Sequence, residues 1–275
     1  MTATAAVEIV DLVMEYGRGE RRVRAVDGLT LSVDPGSVTA ILGPNGAGKT
    51  TTIETCEGFR PVQSGAVTVL GLPPGHRDLR ARVGVMLQNG GAWLGVRAGE
   101  MLRHIASLHA HPLPVDELIE RLGMQAYLAT PYRRLSGGQK QTLSFAMAVV
   151  GRPELVFLDE PSAGLDPQAR RATWDFIADL RTAGVTTVLT THFMDEAEAL
   201  SDQIFIMDAG RVIASGTPAE LTATTGTDVL VSGLDAPARD ALAAWAAERG
   251  ASVTARPRGG SLEDRYLELT GKELR

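Results

Sequence analysis

The stretch Gly43-Pro44-Asn45-Gly46-Ala47-Gly48-Lys49-Thr50-Thr51 constrains this chain more than any other. It follows the apolar run Val38–Leu42, which reads as a buried strand, and it leads into a segment of helical character. Gly-x4-Gly-Lys-Thr between a strand and a helix is a phosphate-binding loop. Gly43, Gly46 and Gly48 let the backbone, with Asn45, curl until successive N–H groups converge on one point. The helix start adds about half a positive charge and free N–H donors, which extend to Thr51. Lys49 sets a point charge against β- and γ-phosphates, and the Thr50 hydroxyl is a ligand for Mg²⁺. A glycine-rich turn that binds nothing is the competing reading, and the flanking strand and helix count against it.

A nucleotide site of this kind belongs to an α/β sheet, and the composition agrees. The 275 residues allow one large domain or two smaller ones, and 44% hydrophobic with 22% charged residues can bury a core. A net charge of −6 argues against nucleic acid as a partner. The single cysteine, Cys56, excludes an internal disulfide or a cysteine-cluster metal site and reads as a packing residue. Met1–Glu8 lacks a basic start followed by an apolar core, so no signal peptide is expected. No apolar run approaches the ~18 residues that span a bilayer. Any membrane role is expected to come through a partner.

Val7 to Tyr16 and Gly28–Val33 alternate as strands, and Asp34-Pro35-Gly36 is a turn. Together they predict an antiparallel β-layer beside the phosphate-loop strand. Tyr16 closes its strand before a basic segment; its ring is either a strand-end packing group or a platform for a nucleotide base. Ala66–Leu70 and Val83–Gln88 are further strands. Gln88 opens the irregular Asn89-Gly90-Gly91; it is either a polar strand end or a group that touches a metal or positions a water. Residues 96 to 151 read as helical, over Val96–Ala110, Val115–Met124 and Lys140–Gly151, punctuated by Pro112, Pro114 and Pro131.

Three further clusters carry chemistry. Leu135-Ser136-Gly137-Gly138-Gln139 starts a helix with a good N-cap and exposed N–H groups, which is a plain cap or a second anion site. Glu154–Glu160 is an apolar strand, buried on both faces, that ends in two acids at the sheet edge where α/β folds bind ligands. There Asp159 can hold Mg²⁺ and Glu160 can polarise an attacking water. Val185–His192 is another such strand, closed by a lone histidine that is structural or a phosphate contact. Asp202–Asp208 and Arg211–Ser215, joined by Ala209-Gly210, predict a hairpin, and Pro218 opens a helix. From residue 227 the character changes: a strand over Asp228–Leu234, an Ala-rich helix over Pro237–Arg249, a strand over Ser252–Arg256 and a helix over Ser261–Leu274. This makes a small α+β part, 227–275, too short to fold well alone and expected to dock on the main domain or on a copy of it.

In their order along the chain, these residues resemble the ATP-binding subunits of ABC transporters, over about Val7 to Gly226. Gly43–Thr50 matches Walker A, Leu135–Gln139 reads LSGGQ, and Leu155–Glu160 matches Walker B with its catalytic glutamate. Ser162-Ala163-Gly164-Leu165-Asp166 matches the D-loop, Gln88 the Q-loop, His192 the switch histidine and Tyr16 the adenine-stacking aromatic. The resemblance implies a P-loop NTPase fold of ABC type over residues 1–226: a mixed central sheet, an antiparallel β-layer and a helical subdomain at about 89–151. It implies ATP and Mg²⁺ as cofactors, with Thr50, Gln88 and Asp159 about the metal. It implies Glu160, His192 and Gln88 as catalytic residues. It also implies a head-to-tail dimer, in which Ser136, Gly137, Gly138, Gln139 and Asp166 serve the ATP held by the partner's Lys49. Lys140 stands where arginine is frequent, and the segment after Tyr16 is unusually basic.

Gly164–Arg171 and Leu262–Gly271 look like the daunorubicin-resistance type of exporter ATPase, whose membrane subunit is a separate polypeptide. That implies a peripheral protein on the cytoplasmic face of the cell membrane, held there by a transmembrane permease. Import and a soluble, non-transport ATPase are the competing functions. The tail is too small for the regulatory barrel of many sugar importers, and the chain lacks the second ATPase domain or long insertion of many soluble relatives. Trp93, Leu94 and Val96 follow Gln88 among glycines; they either fold onto the helical subdomain or form a groove for a cytoplasmic helix of the permease.

Overall fold

The computed structural model describes residues 4–17, 22–86, 93–223 and 236–248. Its centre is a six-stranded sheet. The strands β3 (Val38–Leu42), β5 (Val83–Met86), β6 (Leu155–Asp159), β7 (Thr186–Thr191), β8 (Gln203–Asp208) and β9 (Arg211–Gly216) lie in the order β5-β6-β7-β3-β8-β9. All neighbours are parallel except β8 and β9, the hairpin that the Ala209-Gly210 turn predicts. Every residue of β3, β6 and β7 is buried, because a parallel sheet is covered on both faces.

The two covers differ. Along β6, Leu155 and Phe157 point into one apolar cluster and Val156 and Leu158 into the other, as the period of two requires. On the Phe157 side lies the antiparallel sheet of β1 (Val7–Tyr16), β2 (Val23–Val33) and β4 (Ser64–Val69), in the order β2-β1-β4, with α1 (Lys49–Cys56) between the sheets. On the Val156 side pack α2 (Ala98–Ser107), α3 (Val115–Arg121), α4 (Gly137–Val149), α5 (Pro167–Thr182) and α6 (Met194–Leu200).

Several elements depart from the sequence reading. β1 is one strand but bulged: its register with β2 shifts at Asp11, where φ is +49° and Thr30 Oγ1 accepts the Asp11 N–H at 3.0 Å. β2 begins five residues earlier than its alternating stretch, because Val23 and Arg24 pair with Tyr16 and Glu15 despite their exposure. The reading assigns no element to α5, although Asp166 caps it, Pro167 starts it and Thr173, Phe176, Ile177 and Leu180 bury one face. The short α7 (Pro218–Thr222) follows β9, and α8 (Ala236–Ala247) overlaps the expected Ala-rich helix, starting one residue before it. The strands expected at 228–234 and 252–256 and the helix at 261–274 lie outside the described residues, as does Gln88.

At residue 84 the sheet and the helical layer touch backbone to backbone. A Cβ at Gly84 would stand 2.0 Å from the Ala148 carbonyl oxygen, so no side chain larger than hydrogen fits there.

Candidate active site

The phosphate loop joins β3 to α1 at the C-terminal edge of the sheet, where the strand ends leave a crevice. Two of its glycines are steric necessities. A Cβ at Gly43 would lie 2.4 Å from the Met207 carbonyl oxygen, and one at Gly48, where φ is +100°, would lie 2.3 Å from that of Ala25. The β8–β9 turn braces the loop from the other side: Gly210 N–H donates to the Ala47 carbonyl at 3.1 Å, and Asp27 N–H donates to that of Gly210 at 2.8 Å.

The loop walls a cavity of about 660 Å³. Asn45, Gly46, Gly48, Lys49, Thr50 and Thr51 line it from the loop and the start of α1. Tyr16, Val23, Arg24, Ala25, Glu160 and Ala209 complete the lining. Lys49 is 5% exposed, and its Nζ donates to the carbonyls of Gly43 at 2.7 Å and Pro44 at 3.1 Å. Burial lowers its pKa, against the pull of Glu160 and Asp159.

The two acids at the end of β6 have different surroundings. Asp159 is buried and accepts hydrogen bonds from Thr190 Oγ1 and, at 3.2 Å, from Thr50 Oγ1. Burial raises its pKa and these hydroxyls oppose the rise. Glu160 faces the cavity from a strained backbone, at φ +50°, which costs about 1 kcal/mol for a residue with a Cβ. Four contacts hold that conformation: its N–H donates to both the carbonyl and Oγ1 of Thr190, each at 3.1 Å, and its carbonyl accepts from Gln141 Nε2 at 2.5 Å and from Ala163 N–H at 3.0 Å. Its Oε1 lies 3.2 Å from His192 Nδ1, just past the end of β7. The lysine, both acids, Thr50 and the histidine thus share one sheet edge.

Tyr16 lines the cavity, while the Arg60 guanidinium stands 5.0 Å from its ring centroid and is not part of the lining. A ring with one face covered and a side open to the cavity can stack a flat base. The remaining sequence candidates lie elsewhere. Ser136, Gly137, Gly138, Gln139 and Asp166 are absent from the lining. Ser136 and Gln139 form a capping box at the start of α4, Gly137 has open space where a side chain would stand, and Asp166 Oδ1 caps α5 through Gln168 and Ala169 N–H, both at 2.9 Å. These two starts are adjacent: a Cβ at Gly138 would lie 2.9 Å from the Gly164 carbonyl oxygen.

Sequence reasoning passed over Thr190, Gln141 and Arg60. Thr190 had a signal, since it stands in register with Asp159 on the neighbouring parallel strand; the other two act across distant segments. Glu57, just after α1, was also passed over. Its Oε1 is buried with no hydrogen-bond partner, and burial, then Asp159, then Glu54 push its carboxyl up to about 8. The folded chain therefore keeps a proton that the unfolded chain releases near 4.5, so stability falls as pH climbs from about 5 to about 8. Glu57→Gln is expected to melt several degrees above the parent at pH 8.5 and to converge with it at pH 5. Thermal melts across that range check this, and a pH-independent difference contradicts it. Cys56, by contrast, is inert: burial pushes its thiol up to about 12.

Comparison with known proteins agrees with this geometry. The family model described as ABC transporter matches residues 26–163. The chain is 36% identical to Nod factor export ATP-binding protein I of Ralstonia nicotianae, over 94% of this chain and 92% of that protein. It is 38% identical to the daunorubicin/doxorubicin resistance ATP-binding protein DrrA of Streptomyces peucetius, over 82% of this chain and 70% of that protein. Among solved structures it superposes on the ATP-binding subunit of an ABC transporter with a TM-score of 0.74 and 26% identity, over 97% of this chain and all of the other. A dimeric ATP-binding cassette bound to ADP and Pi shares the fold, with a TM-score of 0.70 at 20% identity, over 77% of this chain and 98% of the other. The chain whose phosphate loop, paired acids and histidine share one sheet edge thus belongs to the ABC transporter family and is one of its ATP-hydrolysing subunits.

Proposed function

We propose that this chain binds ATP at its phosphate loop as half of a head-to-tail dimer, and that hydrolysis there powers export through a separate membrane subunit. The observation that carries the reading is that Lys49, Thr50 and Glu160 line one cavity, with His192 3.2 Å from the Glu160 carboxylate. Tyr16 stacks the adenine. The N–H groups from Asn45 to Thr51 and the Lys49 ammonium hold the phosphates. Thr50 and Asp159 suit Mg²⁺: they offer two hard oxygens 3.2 Å apart, and no cluster of three or more acidic, histidine or cysteine ligands exists among the described residues. That donor set fits an ion whose shell is completed by phosphate oxygens and water. When bound, Mg²⁺ neutralises charge on the β- and γ-phosphates. Glu160 orients and deprotonates the attacking water, and His192 contacts the γ-phosphate. Gln88 is assigned to the metal and the attacking water by its place in the sequence.

Ser136, Gly137, Gly138, Gln139 and Asp166 serve the partner's nucleotide. Their absence from the cavity of their own chain supports this, as does the open space at Gly137. The relatives named for export and for drug resistance support export over import. No helix among the described residues is long and apolar enough to cross a membrane; the separate permease and the place on the cytoplasmic face are read from the likeness to export ATP-binding proteins.

Trp93 and Leu94 are 53% and 65% exposed and precede α2, while Val96 packs against the core. Trp93 rests on His104 with ring centroids 5.1 Å apart. This exposed pair supports the reading that the segment receives a cytoplasmic helix of the permease. Trp93→Ala is expected to leave the melting temperature and ATP affinity of the isolated chain unchanged while reducing co-purification with the permease and ATP-driven efflux by about tenfold. A large drop in melting temperature with an intact complex makes Trp93 a core residue instead. A wild-type complex that hydrolyses no ATP overturns the functional reading itself.

A further inference from the structure

Glu196, on α6, is fully buried yet stands outside the nucleotide cavity. Its Oε1 accepts hydrogen bonds from Ser162 Oγ and, at 3.1 Å, from Trp174 Nε1, which also donates to Ser162 Oγ at 3.0 Å. Its Oε2 is buried, and the Thr191 side chain at the end of β7 also interacts with the carboxylate. Four segments therefore meet on one carboxylate. Ser162 lies in the turn that leaves Glu160, closed by Ala163 N–H donating to the Glu160 carbonyl at 3.0 Å. Trp174 lies on α5. Glu196 itself lies one helical turn beyond His192, on the helix that Phe193 caps. Arg170 adds a second clamp on the same junction: it pairs with Asp195, and its guanidinium stands 4.6 Å from the Trp174 ring centroid and 5.3 Å from that of Phe193.

A buried carboxylate in this position is an expensive way to fill space. Burial raises its pKa against the hydrogen bonds it accepts, and apolar residues of similar volume commonly stabilise such sites. What the carboxylate adds over apolar packing is fixed geometry between the chain segments it joins. Those segments are the ones that follow Glu160 and His192, whose side chains lie 3.2 Å apart at the cavity.

We propose that Glu196 is a positioning residue for ATP hydrolysis: by holding Ser162 and Trp174 against α6, it fixes the Glu160 carboxylate relative to His192. The proposal rests on the role given above to Glu160. It acts on the chemical step and leaves the phosphate loop untouched, so it separates kcat from KM.

Ser162→Ala and Glu196→Leu, each in the full chain assembled with its permease, are expected to lower kcat by about tenfold, with KM for ATP within twofold of wild type. The double variant is expected to be no worse than the more impaired single one, since both cut the same connection. In a Glu160→Gln background, Glu196→Leu is expected to cost nothing further, because the group it positions is already gone. A purely structural role predicts a lower melting temperature and an equal loss in either background. Should Glu196→Leu fail to fold, Ser162→Ala carries the same test, since it removes only a hydroxyl. A kcat within twofold of wild type for the folded variants overturns the proposal. So does a loss that persists in the Glu160→Gln background. If Glu160→Gln itself turns over normally, the assignment of Glu160 fails, and that outcome is distinct from a failure confined to Glu196.

Discussion

Glu160→Gln is expected to lower ATP turnover by about 10²-fold or more while ATP still binds. The amide matches the carboxylate in shape, so the contacts that hold the strained backbone at φ +50° remain. What is lost is the carboxylate beside His192 at the cavity, the group proposed above as the base. ATP affinity is assigned above to the loop and Lys49, which the substitution does not touch. Steady-state hydrolysis with the membrane partner present, paired with nucleotide titration, separates the two effects. Near-normal turnover removes Glu160 from the chemistry.

Lys49→Ala is expected to weaken ATP binding by about 10²-fold or more, because the phosphates lose the buried cation poised on the Gly43 and Pro44 carbonyls. Nucleotide titration of the purified chain measures this directly, and unchanged affinity excludes Lys49 from the site. The same variant tests whether sites are shared. Gly138 has 2.9 Å between its Cβ position and the Gly164 carbonyl oxygen, so Gly138→Asp disturbs the start of α4 and the loop before α5 together. Mixing Lys49→Ala chains with Gly138→Asp chains places both lesions in one site of the heterodimer and leaves the other site whole. Hydrolysis is then expected to return. If heterodimers demonstrably form and no hydrolysis appears, each chain works on its own nucleotide.

The parts of this fold legible in the sequence are those fixed by local pattern. Val38–Leu42 and Leu155–Asp159 read as buried strands because each is a near-continuous apolar run, and both are buried throughout. The hairpin announces itself through Ala209-Gly210. Other parts are fixed by partners far away in the chain. The start of β2 is held by pairing with β1, and nothing in Val23-Arg24 signals that. The Asp11 bulge is set by Thr30 and breaks the alternation that a strand reading relies on. α5 was legible in principle, from Asp166-Pro167 and the spacing of Phe176, Ile177 and Leu180, but its many charges mask the stripe.

The site divides in the same way. Lys49, Thr50, Asp159, Glu160 and His192 stand in motifs whose spacing names them, and the fold brings them to one edge. Thr190, Gln141 and Glu196 stand in no such motif. Their importance arises from hydrogen bonds between segments 19 to 34 residues apart, which composition and periodicity do not encode.

The contact at Gly84 has a mechanical meaning. It pins α4 near its C-terminal end, at Ala148, directly on the strand that leads toward Gln88. The opposite end of α4 is Ser136, twelve residues away, or about 18 Å at the helical rise. On the reading proposed above, in which Ser136 serves a partner's nucleotide, that length matters: a tilt of about 10° about Gly84 would carry Ser136 through about 3 Å, the length of one hydrogen bond.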